Sequence, residues 1–434
     1  MNNKTIFYQL LGNTLFASVI NSFVWFAVTF WVFLETESVL ATSYIAGIFA
    51  VANMTSAFLF GTIVDHNRKK TAMFYSSTIS LVSYLLGALI YFTQPVEVFA
   101  DPSSSTLWLL VVVLMIGSVS GNLRMIALST TVSMLFTEGK DKANGLVGAM
   151  NGMSFAITSV LSGLVIGFLG MNFAIIIAVV VTAMVLIHLP FIPLVEKEIV
   201  HVEGAGKKID FKKTFTVVAA VPGLLTLIFF TTFNNFLGGV FMALMDAYGL
   251  SLVSVQTWGM MFAVVSLGFI LGGGLIAKYG LGKNPLRSML TVNVITWTTC
   301  IFFTIQPSAI LLFMGMLIWM TLIPFIEAAE HTVIQAVVPL EKQGRVFGFA
   351  QSIESAATPI TTFLIGPIAT FFFIPFMTTG AGVELIGDWF GVGQARGIAL
   401  VFICAGTIGL IVTLIAFRTK SYLVISELMK VKKV

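Results

Sequence analysis

The sequence predicts an all-α membrane protein with twelve transmembrane helices in two pseudo-symmetric bundles of six, and with both termini in the cytoplasm. Three observations lead to this fold class. The 434 residues are 58% hydrophobic and 10% charged, whereas a soluble domain carries about 25% charged residues. Long apolar runs alternate with short polar loops. The basic residues are confined almost wholly to alternate loops.

The apolar runs are about twenty residues long, which is the length that a helix needs to cross a bilayer. Barrel strands would instead give roughly ten-residue segments of alternating polarity. The first run is too long and too aromatic for a cleaved signal peptide, so we expect it to remain as the first helix. The predicted spans are 7–34, 41–64, 71–93, 107–135, 146–169, 172–195, 217–246, 256–278, 288–306, 309–333, 346–373 and 397–417.

Lysine and arginine fall on one side of the predicted membrane, with Arg396 as the exception. That side includes the cluster Arg68 to Lys70, the lysines from Lys197 to Lys213 and the C-terminal tail. Because basic loops remain in the cytoplasm, we expect both termini there, in a multi-pass protein of the plasma membrane. The net charge of +4 indicates orientation, and a nucleic-acid partner is not needed to explain it.

Three domains are expected along the chain. Residues 1–195 form an N-terminal six-helix bundle, 196–213 form a cytoplasmic linker loop, and 214–434 form a C-terminal six-helix bundle. The linker is predicted because charged residues and glycines interrupt the apolar pattern there.

The two halves resemble each other at constant offsets. A shift of 213 residues places Asn21 on Asn234 and Asp65 on Lys278, and a shift of 200 matches the later helices. One longer outer loop in the first half explains the change of offset. The pattern predicts a parallel repeat about an axis along the membrane normal. The second copy has lost its aspartate.

The turn after the second predicted helix interrupts the apolar pattern with Gly61, Asp65, Arg68, Lys69 and Lys70. Three consecutive cations are too costly in hydrocarbon, so the chain must leave the bilayer there. An aspartate at a helix end can accept backbone N–H groups and pair with Arg68 or with a cation of a neighbouring helix. We interpret the turn as a latch of the conformational cycle, with a plain solvated turn as the alternative.

Ionisable residues inside membrane helices are candidates for function because each is costly in the bilayer. Glu327 and Glu330 share one face of the tenth predicted helix, three residues apart. Two such carboxylates resist ionising together, and His331 beside them titrates near neutrality. We predict a proton-coupling cluster. The alternatives are that this helix end lies in water, or that the acids pair with Arg124 as a gate.

Two further acids lie in predicted helices. Glu354 is about 12 Å into the eleventh helix and is expected to bind a proton or a cation, or to pair with a buried cation. Asp246 closes the seventh helix on the outer side. We expect it to be an interface residue, with a substrate or gate role as the alternative.

A substrate cavity is expected near the midplane, between the halves of the repeat. Aromatic surfaces with a few amides suit a lipophilic, weakly polar molecule, and nearby acids favour a cation. Ordinary helix packing is the alternative for each phenylalanine. The candidate residues are Asn21, Trp25, Phe233, Asn234, Asn235 and Phe236.

These features resemble the major facilitator superfamily, and more closely its macrolide-efflux-type bacterial branch. The glycine, aspartate and basic run from Gly61 to Lys70 are similar to the family's loop between helices two and three. The stretch that contains Gly344 and Arg345 is similar to the loop between helices ten and eleven in that branch. The resemblance implies a transporter of the bacterial inner membrane that works by alternating access, with Gly344 and Arg345 in its conformational motifs.

Two positions depart from the family's pattern. Many proton-coupled members carry an arginine in the outer half of the fourth helix, where this chain has Gly117, with Arg124 further in. The drug-antiporter signature of the fifth helix has Gly-Pro, whereas Ser159 stands near that place.

We therefore predict a secondary active transporter, driven by protons, that exports lipophilic or amphiphilic small molecules of the drug or macrolide type. Proton-coupled uptake and lipid flipping are alternatives, and a non-transporting membrane sensor is the alternative from another class. The sequence lacks an ATP-binding Gly-x-x-x-x-Gly-Lys-Ser/Thr loop and catalytic motifs, so neither an enzyme nor a cofactor is expected. Cys300 and Cys404 lie in apolar runs and indicate no metal site. The expected partners are the substrate, protons and the lipid bilayer, and we expect a monomer.

Overall fold

A computed structural model describes residues 2–36, 39–196 and 211–431. Two short 3₁₀ turns, Val96–Phe99 and Leu189–Phe191, and a π-helical turn, Ala369–Phe373, connect longer helices. The α-helices are α1 (Asn3–Thr36), α2 (Val39–His66), α3 (Lys69–Thr93), α4 (Ser105–Val119), α5 (Gly121–Leu135), α6 (Lys140–His188), α7 (Phe211–Ala220), α8 (Leu224–Leu252), α9 (Val255–Tyr279), α10 (Pro285–Phe302), α11 (Ala309–Val337), α12 (Leu340–Ile368), α13 (Ile374–Thr378), α14 (Ala381–Phe390), α15 (Gln394–Ala416) and α16 (Lys420–Val431).

Within the described residues, ten helical stretches are long and apolar enough to cross a membrane. The prediction of an all-helical, multi-span protein is confirmed, while the count of twelve and the side of the termini stay predictions. One difference in the count arises at 146–169 and 172–195, which lie in one helical stretch, Lys140–Phe191, with a turn at Gly170. The other is the predicted span 288–306, since α10 is not among the ten stretches.

Some predicted spans are interrupted. The span 107–135 is divided at Ser120, whose hydroxyl lies 2.8 Å from the Gly117 carbonyl oxygen and so supplies a local alternative to the helix ladder. The span 217–246 is divided between α7 and α8, where Gly223 has a left-handed φ of 83°. Glycine adopts that conformation without the steric cost of a side chain.

The chain divides into two compact units. The first comprises Met1–Glu138, Met153–Val217 and Val338–Ser352, and the second comprises Gly139–Gly152, Val218–Val337 and Ile353–Val434. Relative to the predicted halves, the segments that begin α6 and α12 are exchanged between the units. The predicted division at the linker 196–213 stays a prediction, and residues 197–210 lie outside the described part of the chain.

Each unit has its own apolar core. In the first unit, α3 packs against α4 and α5, and α1 packs against α4. In the second unit, α11 packs against α9 and α10, and α15 packs against α10 and α8. These cores are rich in aromatic side chains, such as Tyr91 stacked on Phe99 in the first unit and Phe241 stacked on Phe402 in the second.

Candidate functional site

The second unit brings two acids from different helices onto one hydroxyl group. Glu330 lies on α11 and Glu354 lies on α12. The Thr231 hydroxyl of α8 is 2.6 Å from Oε1 of Glu354 and 3.2 Å from Oε1 of Glu330. The two carboxyl groups are close enough to interact electrostatically with each other. Three helices therefore meet at one acidic site.

The contacts of Glu330 and Glu354 restrict where protons can lie in this site. Two carboxylates have only acceptor oxygens, so a hydrogen bond between them needs a proton on one of them. A hydroxyl has one proton and can donate to only one acid at a time. Glu330 is buried at 7% exposure, and a bare pair of charges there would repel strongly. The Thr231 hydroxyl alone can satisfy only one of the two acids at a time.

The other members of the predicted cluster surround this pair. Glu327 has an exposed side chain on α11, three residues before Glu330, and interacts electrostatically with Glu354. His331 is half-buried next to Glu330. The acids therefore range from an exposed group through the half-buried Glu354 to the buried Glu330.

The predicted latch residue Asp65 forms a dense set of contacts in the first unit. Its Oδ1 accepts a hydrogen bond from the backbone N–H of Gly344 at 2.7 Å. Its Oδ2 accepts from the backbone N–H of Arg345 at 3.1 Å and from Nε of the same residue at 2.7 Å. The sequence left two possible cation partners for Asp65, which were Arg68 and a cation of a neighbouring helix. In the structure the partner is Arg345, on α12. Arg68 is exposed, and the buried Lys69 donates to the Val64 carbonyl oxygen.

Three glycines make this contact sterically possible. A Cβ atom on Gly61 would meet the Gly344 carbonyl oxygen and would lie 3.0 Å from Cα of Arg345. A Cβ on Gly348 would lie 2.9 Å from Cα of Gly61. The end of α2 and the start of α12 thus approach closely, and that approach places the Asp65 carboxylate on the backbone N–H groups of α12.

The second unit contains a related contact of opposite polarity. Lys278 stands where the repeat would place an aspartate, but Asp141 at the start of α6 supplies a carboxylate. Its Oδ2 accepts from the backbone N–H of Leu281 at 2.7 Å, in the turn after α9. In the first unit the acid, Asp65, lies at the end of α2 and accepts from the start of α12. In the second unit the acid, Asp141, lies at the start of α6 and accepts from the turn after α9.

An amide cluster supports this second contact. Asn144, one helical turn after Asp141, donates from Nδ2 to Oε1 of Gln335 at 2.9 Å and lies 2.9 Å from the Thr332 hydroxyl. Nε2 of Gln335 donates back to Oδ1 of Asn144 at 3.3 Å. The start of α6 is therefore fixed to both the turn after α9 and the end of α11.

Arg124 is buried in the first unit at 1% exposure. Its guanidinium donates to Oδ1 of Asn13 and to the Ser77 hydroxyl, each at 2.5 Å. In the described part of the chain, these hydrogen bonds go to uncharged acceptors, and Nε has no partner. The pairing of Arg124 with Glu327 or Glu330 stays a prediction.

Two of the three asparagines of the predicted cavity, Asn21 and Asn234, have the same role in their respective units. The Tyr84 hydroxyl donates to Oδ1 of Asn21 at 2.7 Å, and Nε1 of Trp297 donates to Oδ1 of Asn234 at 2.8 Å. Both the asparagines and their donors are related by the shift of 213 residues. The side-chain oxygens of Asn21 and Asn234 thus join helices inside each unit, and their contact with a substrate stays a prediction.

The remaining cavity candidates differ in exposure. Asn235 is exposed on α8 and Phe233 stacks on Phe236, with ring centroids 6.3 Å apart. Trp25 stacks on Phe49, with centroids 4.9 Å apart, in the first unit. Of the cavity asparagines, Asn235 has the side chain most available to a solute.

Asp246 accepts a hydrogen bond from Nε1 of Trp258 at 2.9 Å. It therefore joins α8 to α9. Its gate role stays a prediction.

Sequence reasoning missed Thr231 and Asp141. Thr231 has no distinguishing motif, and its position one turn before the cavity asparagines was the available signal. Asp141 could have been found by comparing the starts of α6 and α12, because the shift of 200 residues places it on Glu341.

The helices, the buried acids and the repeat together define the class of protein, a polytopic membrane protein with ionisable groups inside its spans. The Major Facilitator Superfamily sequence profile matches residues 10–362. The chain belongs to this superfamily of transporters.

Solved structures with the same fold are distant in sequence. One is a bacterial homologue of the iron transporter ferroportin in an outward-facing state, 14% identical, with a TM-score of 0.65 over 95% of this chain and 100% of that one. The human organic anion transporter MFSD10 is 14% identical, with a TM-score of 0.66 over 98% of each chain. The fucose:proton symporter of E. coli is 14% identical, with a TM-score of 0.65 over 97% of this chain and 100% of that one. No curated protein sequence matches this chain significantly.

Proposed function

We propose that this protein is a proton-coupled secondary transporter that exports lipophilic or amphiphilic small molecules by alternating access. The observation that carries the proposal is the contact of Glu330 and Glu354 with one Thr231 hydroxyl, and their electrostatic interaction with each other, inside candidate membrane spans. The superfamily identity supplies the transport fold, and the acid pair supplies a group that can exchange a proton.

The coupling follows from electrostatics. Two unit charges about 4 Å apart repel by about 4 kcal/mol at the effective dielectric typical near a protein surface. Loss of a proton shared by the two acids therefore favours either separation of α11 from α12 or entry of another cation. A site that holds alternately a proton or a positively charged solute exchanges one for the other. The exposed Glu327 provides a first contact for either cation.

The contacts of Asp65 and Asp141 supply bistable elements for such a cycle. Each is a carboxylate on backbone N–H groups at helix ends, and charge-assisted hydrogen bonds of this kind are stronger than neutral ones. Both lie in turns that are predicted to face the cytoplasm. We propose that both contacts form when the cytoplasmic side is closed and break when it opens.

The substrate class rests on the aromatic and amide side chains of the predicted cavity. In the second unit, Phe233 and Phe236 offer apolar surface, and Asn235 offers an exposed amide. This composition suits a lipophilic molecule with few polar groups. The acids of the second unit favour a molecule that also carries a positive charge.

Purified protein in liposomes with an imposed pH gradient tests the proposal. We expect a lipophilic cationic dye to accumulate against its gradient on the acidic side, and an uncharged macrolide to accumulate less. Accumulation of the dye on the alkaline side would indicate uptake with protons instead of export. Equal dye movement with and without the gradient would contradict proton coupling.

A further inference from the structure

A solvent-open cavity of about 350 Å³ lies beside the start of α3 in the first unit. Arg68, Lys70 and Glu196 contribute the charged groups of its wall, and Phe74, Leu189 and Leu194 contribute apolar surface. It is separate from the acid pair and from the cavity asparagines. The transport proposal does not use this cavity.

The segment that follows α6 forms the wall opposite α3. Nζ of Lys70 donates to the carbonyl oxygens of Pro190 and Ile192, at 2.8 and 2.7 Å. Glu196 accepts from the backbone N–H groups of Lys69 and Lys70, at 2.5 and 2.8 Å. These hydrogen bonds fix the segment after α6 against the start of α3, so the shape of the cavity is defined by specific contacts.

The charges that face the cavity are unbalanced. Glu196 already takes the first backbone N–H groups of α3, so the helix end is not available to a ligand. The Arg68 side chain is exposed, and its guanidinium has no hydrogen-bond partner in the described part of the chain. Among the described residues that line the cavity, two cations and one acid leave a net charge of +1, which one negative charge would neutralise.

The side chains around the cavity indicate that its ligand comes from the lipid bilayer. Phe191 is 78% exposed and Val195 is 88% exposed on the segment that forms the wall, and Phe74 is 40% exposed on α3. Side chains this apolar, at the end of a membrane-spanning helix, suit contact with acyl chains. A basic residue at this depth suits an anionic headgroup.

We propose that this cavity binds a phospholipid with a single negative charge, of the phosphatidylglycerol type, in the leaflet on the side of the basic loops. The phosphate lies against Arg68, the headgroup hydroxyls face the Glu196 carboxylate, and the acyl chains cover Phe74 and Phe191. The proposal does not depend on proton coupling, since none of these residues takes part in the acid pair.

Native mass spectrometry of the delipidated protein in detergent tests the proposal, with phosphatidylglycerol, phosphatidylcholine and inorganic phosphate as separate probes. We expect phosphatidylglycerol to bind most tightly. Arg68→Gln should weaken its first binding step about fivefold, since a basic residue near the membrane surface contributes about 1 kcal/mol. Arg68→Lys, which keeps the charge, should restore most of the affinity.

Arg287→Gln is the matched control, because Arg287 is an exposed cation in the first turn of α10. It should leave the affinity unchanged. The proposal is wrong if Arg68→Gln binds phosphatidylglycerol as the parent protein does, or if Arg287→Gln weakens binding as much. Equal affinity for phosphatidylcholine would also overturn it, and tight binding of inorganic phosphate alone would indicate a soluble anion instead of a lipid.

Discussion

The carboxylate of Asp65 accepts a hydrogen bond from the backbone N–H of Gly344 at 2.7 Å, across 279 residues of sequence. Because the next residue, Arg345, adds two more hydrogen bonds to the same carboxylate, the contact is ionic as well as polar. Hydrogen bonds that share one buried carboxylate form together and break together. It is therefore suited to hold one state of a transport cycle.

Asp65→Asn should slow transport tenfold or more. The amide cannot accept from both backbone N–H groups and lacks the charge that pairs with Arg345, and hydrogen bonds to charged groups contribute about 1.5–3 kcal/mol. The measurement is the initial rate of dye transport in liposomes. Asp101→Asn is the control, since Asp101 is an exposed acid that bonds to Ser103 in its own turn. A parental rate in Asp65→Asn would show that the contact is only a solvated turn.

Gly61→Ala should lower the free energy of unfolding by about 1–3 kcal/mol, the usual cost of overpacking. The added methyl group would meet the Gly344 carbonyl oxygen. The repeat provides the control, because Gly274 corresponds to Gly61 at the shift of 213 residues and has nothing within 4 Å of an added Cβ. Thermal unfolding in detergent measures both variants. Equal stability of the two would contradict the close approach of α2 and α12.

Asp141→Asn should slow transport three- to tenfold, a smaller effect than that of Asp65→Asn, because Asp141 has no described cation partner and bonds to one backbone N–H. Glu341→Gln, at the corresponding position of α12, is the control and should transport normally. The two contacts share no residue, so the effects of the double variant Asp65→Asn with Asp141→Asn should multiply. If Asp141→Asn transports at the parental rate, the second contact has no part in the cycle.

Thr231→Val should reduce gradient-driven transport tenfold or more. Valine has the same shape but leaves Glu330 and Glu354 without the bridging hydroxyl, and an unsatisfied buried polar group costs about 1–3 kcal/mol. Thr232→Val is a close control, since the Thr232 hydroxyl bonds to the Ile228 carbonyl oxygen of its own helix at 2.6 Å. Loss of transport in both variants would indicate general damage to α8.

The sequence predicted the membrane class, the repeat and the types of residue in the site, because hydrocarbon restricts composition and spacing so strongly. It indicated that Asp65 could accept hydrogen bonds from backbone N–H groups and could pair with Arg68 or with a cation of a neighbouring helix. It did not identify that cation as Arg345, because the pairing depends on how α2 and α12 pack. Packing is a property of the folded chain, and the close approach of Gly61 and Gly344 has no local sequence signal.

The partner of Glu330 also depends on packing, which the sequence does not show. Spacing on one helix pairs Glu330 with Glu327, three residues away, whereas the fold pairs it with Glu354 on another helix. Asp141 was missed because the acid in the second copy of the repeat moved to the opposite side of its contact. Aligning the turn after α2 with the turn after α9 cannot show that the acid of the second contact lies on α6.

We propose that a proton shared by Glu330 and Glu354 couples transport to the pH gradient. Glu330→Gln and Glu354→Gln each imitate a carboxyl group that never releases its proton. Gradient-driven accumulation and substrate exchange at equal pH should be measured on the same liposomes, because exchange needs no net proton movement. We predict that both variants lose accumulation and keep exchange. Accumulation at the parental rate in either variant would contradict the account.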